Sequence, residues 1–369
     1  MDCLALLLEV KVWTEGVWGT IINLFSFIGN YGWMIIVFTI CLKLVLSPFD
    51  FMQKHTTNKN QKMMAIMQPE LDKVQKKYAN NKEMLQQKQM EVYKKYNYNL
   101  VGSCLLMFGG MMIPMIIFFS LFGALNQISA IKIYNQYDGL KNQYEIAYDS
   151  KIEIGASEED ATNYAREVVL NYYNTEAKES WLWIDNVWKG DKATSIVPTY
   201  DEYLSLIRQS LTDEEAEAIE KMTDEEKAVA QAEYDKVMYS IKESETGWNG
   251  YYILAVLAGG VTYLSSWLLQ RANKKKIKDE LAAEKKKVVE GQDAASGAAN
   301  IMTFVLPIIM VIFTLTSSSI FSLYIITSSL VSLATQPLFN LIFKAIDERK
   351  AMKEKFATGV NYSRDNLYK

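Results

Sequence analysis

The chain has 369 residues, half of them apolar and 22% charged, with a net charge of −4 at pH 7. Three scattered cysteines (Cys3, Cys41, Cys104) form neither a disulfide framework nor a metal cluster, and a lone histidine, His55, gives metal chemistry little support. With no Gly-rich phosphate loop, no G-x-S-x-G and no HExxH, nothing argues for an enzyme or a cofactor.

The apolar residues are gathered into blocks, which divides the chain in order. Residues 1–30 lack the basic n-region of a cleavable signal peptide, although a truncated leader is an alternative. Within them "VWTEGVWGTIINLFSFIGN" suits a helix lying in the outer interface. A first span covers 31–52, a polar hairpin 53–97, a second span 98–127 and an acidic segment 128–249. A third span at 250–270 leads into a basic loop at 271–300. The block 301–343 is too long for one crossing and is interrupted by "TSSSIFS" at 316–322, so it reads as two spans joined by a tight turn. A basic tail, 344–369, ends the chain. About 20 apolar residues per crossing match a hydrocarbon core of ~30 Å, which gives five spans in all.

Charge sets the expected orientation. Loop 54–97 carries ten lysines against four acids, 271–300 eight basic residues against five acids, and the tail seven against four. The segment 128–247 holds twenty-six acids against twelve basic residues. The positive-inside rule sends the basic segments to the cytoplasm and the acidic one outside, with the N-terminus outside and the C-terminus cytoplasmic. A bacterial plasma (inner) membrane suits this arrangement better than an organellar one. The acidic segment reads as helical, with capping boxes at Thr212/Glu215 and Thr223/Glu226. In "ESWLWIDNVWKGD", at 179–191, three tryptophans stand beside charges as in an interfacial aromatic anchor.

Lys43 is the anomaly. It lies in the first span, eleven residues before Lys54, about 16 Å along a helix, whereas a lysine side chain reaches only about 6 Å. Against lipid it would cost about 3 kcal/mol on insertion scales, so it should face the bundle interior or a water-filled cavity. The other spans offer no Asp or Glu. They offer Asn126, Gln127, Thr262, Ser265, Ser266, Gln270, Thr314, Thr327, Ser328 and Gln336, and Thr39 lies one turn before Lys43 on the same face. A cation among neutral polar groups implies a hydrated cavity, suited to an acidic polypeptide, an anion or a lipid head group. The residues alone do not choose among these.

The order of features resembles the YidC/Oxa/Alb family of membrane protein insertases. Lys43 followed five positions later by Pro48, "QPEL" at 68–71, "EVYKKYNYN" at 91–99, "GSCL" before the second span and "WLWID" at 181–185 carry the likeness. So do "ILAVLAGGVTYLSSWL" and "MTFVLPIIM…SLYIITSSLVSLATQPLF". The match runs from about residue 15 to 345 except for the acidic segment, which is much longer than is usual for the family. The resemblance implies a five-transmembrane-helix core with a cytoplasmic helical hairpin, and with the helical reading of the acidic segment the expected fold is all-α with an enlarged, mostly helical external domain. It further implies a hydrophilic groove open to the cytoplasm and to lipid. The family's groove charge is usually arginine, and Lys43 stands at that position; Tyr324 matches an aromatic that contacts substrate.

The expected function is a membrane protein insertase or chaperone, not an enzyme, that receives hydrophobic segments of nascent proteins and releases them sideways into the bilayer. In the hairpin, Met63, Met67 and Leu71 form a stripe that Met84 and Met90 continue. This stripe either zips the two helices together or receives clients on an adaptable methionine surface. Pro48 and Pro69 are expected helix bends. The basic loops and tail suit contacts with the ribosome or membrane lipids, and a Sec translocon is a further candidate partner. The alternatives are a small-anion transporter or channel using Lys43, and a membrane scaffold with an external binding domain.

Overall fold

The computed structural model describes residues 16–283 and 294–365, and the first fifteen residues of the expected interfacial helix lie outside them. The architecture is all-α. Among the described residues the helices are α1 (Gly16–Asn23), α2 (Tyr31–Lys77), α3 (Lys82–Lys95), α4 (Leu100–Glu153), α5 (Glu158–Tyr172), α6 (Tyr200–Ile207), α7 (Asp213–Glu220), α8 (Asp224–Ser244), α9 (Ile253–Ala283), α10 (Ala294–Thr316) and α11 (Ser319–Asp365). Four stretches are long and apolar enough to cross a membrane: Tyr31–Lys77, Met112–Glu153, Ile253–Ala272 and Ser319–Ile346. Phe304–Thr316 in α10 is a shorter apolar helix. Pro48 and Pro69 both lie inside α2, whose helix continues through them.

The chain divides into two compact units. The first comprises Met1–Leu42, Gly109–Tyr263 and Ile301–Thr327. Its apolar part is pinned by rings: Phe122 meets Phe313 at 5.0 Å and Phe321 at 4.9 Å between centroids, joining α4, α10 and α11. α1 joins through Trp18, whose indole N–H donates to Ser120 Oγ at 2.7 Å and whose ring packs edge-on against Phe38. A Cβ on Gly259 would fall 2.6 Å from Val311, so the small residue is what lets α9 and α10 approach this closely.

α4 runs without a break into the acidic segment, because no proline follows Pro114 within it. It ends at Gly155, whose φ of 81° favours glycine. Ser157 then caps α5, and capping boxes at Thr199/Glu202, Thr212/Glu215 and Thr223/Glu226 open α6, α7 and α8. α8 turns Ala230, Tyr234, Val237, Met238 and Ile241 inward at helical spacing. Tyr234 packs against Tyr137 at 5.0 Å and Tyr203 at 5.1 Å, and its hydroxyl donates to the Pro198 carbonyl at 3.0 Å. The buried Lys141 reaches Glu233 at 2.6 Å. Asn249 N–H donates to the Thr194 carbonyl and Ile196 N–H to that of Gly247, so the segment between these pairs leaves and returns at one place.

The stretch 179–191 turns inward instead of forming an exposed aromatic anchor. Trp181 and Trp188 are buried. Trp188 packs on Tyr31 at 4.6 Å and Trp181 on Trp33 at 5.6 Å, both residues of α2, which takes apolar ring surface out of water. Glu179 Oε1 accepts from Tyr31 N–H at 2.7 Å. Burial raises the Glu179 carboxyl above its ordinary 4.5, opposed by the Tyr31 N–H and by Lys132. A carboxyl raised on folding favours the folded state while protonated, and that contribution is lost as pH climbs through the raised value. Glu179→Gln keeps an acceptor oxygen. Its thermal stability should therefore vary less than wild type's as pH rises above 4.5, measured by melting in detergent across a pH series.

The second unit comprises Lys43–Phe108, Leu264–Asn300 and Ser328–Lys369. Asn81 accepts from Met84 N–H and caps α3 after the turn that the paired asparagines make. Met67, Leu71 and Val92 form the hairpin's core, with Met63, Val74, Tyr93 and Tyr96 against it. Glu70 accepts from Lys95 at 2.6 Å and from the Tyr96 hydroxyl at 2.9 Å, stapling α2 to α3. Met67→Ala should therefore cost the hairpin about 2 kcal/mol, seen as faster amide exchange across α3.

Candidate functional site

The polar positions expected within the spans occur in both units. In the first, Thr39, Thr262, Thr314, Tyr324 and Thr327 are buried. Asn126 and Gln127 are half-buried. Thr39 Oγ1 donates to the Ile35 carbonyl at 2.6 Å and Thr314 Oγ1 to that of Val311 at 2.8 Å. Bonding back to the preceding turn consumes the hydroxyl proton and leaves the oxygen lone pairs as acceptors. Asn126 Oδ1 accepts from Ser318 N–H at 3.4 Å, tying α4 to the turn between α10 and α11.

In the second unit Lys43, Ser265, Ser266, Gln270, Ser328 and Gln336 are half-buried. Asp50 lies seven positions after Lys43 in α2. Seven residues make nearly two turns, so the two charges share a face.

Gln336 is already engaged. Its side chain accepts from the Lys54 ammonium. Lys54 is buried and lies over the Phe339 ring at 5.8 Å. Phe51 stacks on Phe343 at 4.5 Å and His55 on the same ring at 5.6 Å, which gives the single histidine a packing role. In the hairpin, Met67 and Leu71 are buried in its own core and Met63 packs against them, whereas Met84 and Met90 are exposed. The stripe on α2 thus zips the two helices, and the exposed methionines belong to α3.

The sequence pattern of a known family, described as the 60Kd inner membrane protein family, matches residues 23–347. The chain belongs to that family. This is the YidC/Oxa/Alb family that the motifs resemble, and the match takes in every span-borne position named above. Relatives of the chain include proteins named membrane protein insertase YidC. The one from Fusobacterium nucleatum is 40% identical over 100 residues, covering 27% of this chain and 45% of its own. That from Leptospira interrogans is 43% identical over 98 residues, covering 27% of this chain and 14% of its own. That from Clostridium tetani is 43% identical over 76 residues, 21% of this chain and 33% of its own. The shared stretch thus spans less than half the length of each of these relatives.

Proposed function

We propose that this chain is a membrane protein insertase of the inner membrane, with nascent membrane proteins as its clients. The observation that carries this reading is Lys43, a half-buried ammonium in the apolar part of α2. Its family membership and insertase-named relatives support the same reading. Thr39, Thr262, Thr314, Thr327 and Ser328 supply acceptor oxygens within the spans, and Lys43 supplies a donor and a charge. Lys43 and Ser328 in the second unit, and separately Tyr324 and the threonines in the first, each lower the cost of holding polar groups at membrane depth, where each unsatisfied backbone group costs several kcal/mol. The client's apolar segment then leaves sideways into lipid.

The chain crosses five times, with its acidic domain and N-terminus outside and its basic segments in the cytoplasm. The short apolar length of α10 favours local thinning of the bilayer, which shortens the barrier further. Met84 and Met90 offer incoming segments an adaptable surface on the hairpin, and the basic tail and loops face the ribosome and anionic lipid.

The test is integration of a short single-span client, made by cell-free translation, into liposomes holding the purified protein. Insertion well above empty liposomes is expected. Insertion equal to empty liposomes would overturn the reading and favour anion transport or scaffolding.

A further inference from the structure

A helix leaves its first N–H groups without intrahelical partners, and at three helices of this chain one short stretch supplies those partners. At α2, Tyr31 N–H donates to Glu179 Oε1 at 2.7 Å, and Asn30 Nδ2 donates to the same oxygen at 3.2 Å and to the Ser180 carbonyl at 2.8 Å. At α9, Leu254 N–H donates to Asp191 Oδ2 at 2.5 Å and Tyr251 N–H to Oδ1 at 2.7 Å. At α11, both the N–H and the hydroxyl of Ser319 donate to the Lys189 carbonyl, at 2.8 and 2.7 Å. Each of these helices holds a stretch long and apolar enough to cross a membrane. Two of the acceptors are carboxylates, placed where the helix dipole favours negative charge.

The stretch is itself braced. The fully buried Asn249 accepts from Asn186 N–H at 2.7 Å and donates to the Asn186 and Gly190 carbonyls, each at 3.0 Å. Val187 N–H donates to the Glu179 carbonyl at 3.0 Å. Close approach is built in at the glycines: a Cβ on Gly190 would fall 2.9 Å from the Ser317 carbonyl oxygen, and one on Gly32 would run into the Trp181 ring. Asp191 reaches its N–H partners across 60 and 63 residues of intervening chain, and the paired backbone at 194–196 and 247–249 brings that excursion back to its start.

We propose that residues 179–191 form a clasp that holds the first turns of α2, α9 and α11 as one set, with Glu179 and Asp191 as positioning residues for client insertion. The clasp itself rests on this geometry, and its consequence for insertion rests on the insertase reading above. Removing one cap should loosen the other helix starts as well, because the clasp is braced as a unit.

The experiment is amide hydrogen exchange on the full chain in lipid nanodiscs, comparing wild type with Asp191→Ala, Asp191→Asn and Glu179→Ala. Asp191→Ala should speed exchange about tenfold at 250–257, the scale of a lost cap at a locally opening helix end. It should also speed exchange at 30–36 and 317–323, which Asp191 does not touch, and Glu179→Ala should do the converse. Asp191→Asn retains one acceptor oxygen and should give an intermediate effect, so the series remains readable if Asp191→Ala fails to fold. Deprotection confined to the helix whose cap was removed would overturn the clasp in favour of independent caps. In liposomes, Asp191→Asn should lower the maximal insertion rate several-fold with the half-saturating client concentration unchanged. An unchanged rate would overturn the positioning role. Failure of wild type to insert would instead overturn the insertase reading and leave the exchange result standing.

Discussion

Lys43→Leu should reduce integration of an acid-flanked client about tenfold, the equivalent of ~1.4 kcal/mol, while Lys43→Arg stays close to wild type. A charge pair about 4 Å apart is worth ~4 kcal/mol near a protein surface and ~1 kcal/mol in water, so a partly hydrated groove falls between. The loss should shrink as acidic residues are removed from the client's flank. Stability should move the opposite way. Leucine removes a charge that costs about 3 kcal/mol at membrane depth, and asparagine at Asp50 removes a second ionisable group from the same helix. The double variant Lys43→Leu/Asp50→Asn should therefore resist denaturant better than wild type and still insert poorly. Insertion that ignores Lys43 altogether would deny it the proposed role, whereas a scaffold would tolerate leucine with every client.

Gly250→Ala should cost about 3 kcal/mol of stability, combining overpacking with the loss of a helix cap. A Cβ there would fall 2.8 and 2.9 Å from the Cα and carbonyl carbon of Asp191, backbone atoms that cannot swing aside. Asp191 would have to retreat and release Tyr251 and Leu254. Gly247→Ala is the matched control, since its Cβ would meet only the end of the Ile196 side chain at 3.4 Å. Unfolding in mixed micelles should separate the two variants clearly, and equal stabilities would refute the steric account.

Much of this was legible in the sequence because it depends on local spacing. The capping boxes of α7 and α8 were visible as Thr-x-x-Glu, and the turn at Asn80 and Asn81 as paired asparagines. The clasp left little trace. "ESWLWIDNVWKGD" shows tryptophans beside charges, which fits an interfacial anchor as well as a buried brace, and nothing local tells Asp191 that its partners lie 60 residues on. In the sequence Gln336 is one more polar group in a span, whereas in the fold its side chain accepts from the Lys54 ammonium. The methionine stripe of α2 was equally ambiguous, since a face that zips a hairpin and one that receives a client need the same residues.

By itself the sequence determined the all-α class, the apolar blocks, the charge asymmetry between segments and the presence of a cation within a span. These follow from composition and from periods of a few residues, and they need no knowledge of what packs where. Only the tertiary structure decided which side chains were already satisfied and which backbone groups needed a distant partner. It gave Thr39 and Thr314 their own carbonyls, Gln336 to Lys54, and the starts of α2, α9 and α11 to one stretch. The physical reason is that a buried polar group must find a hydrogen-bond partner wherever the fold presents one, and that choice is made in space, not along the chain.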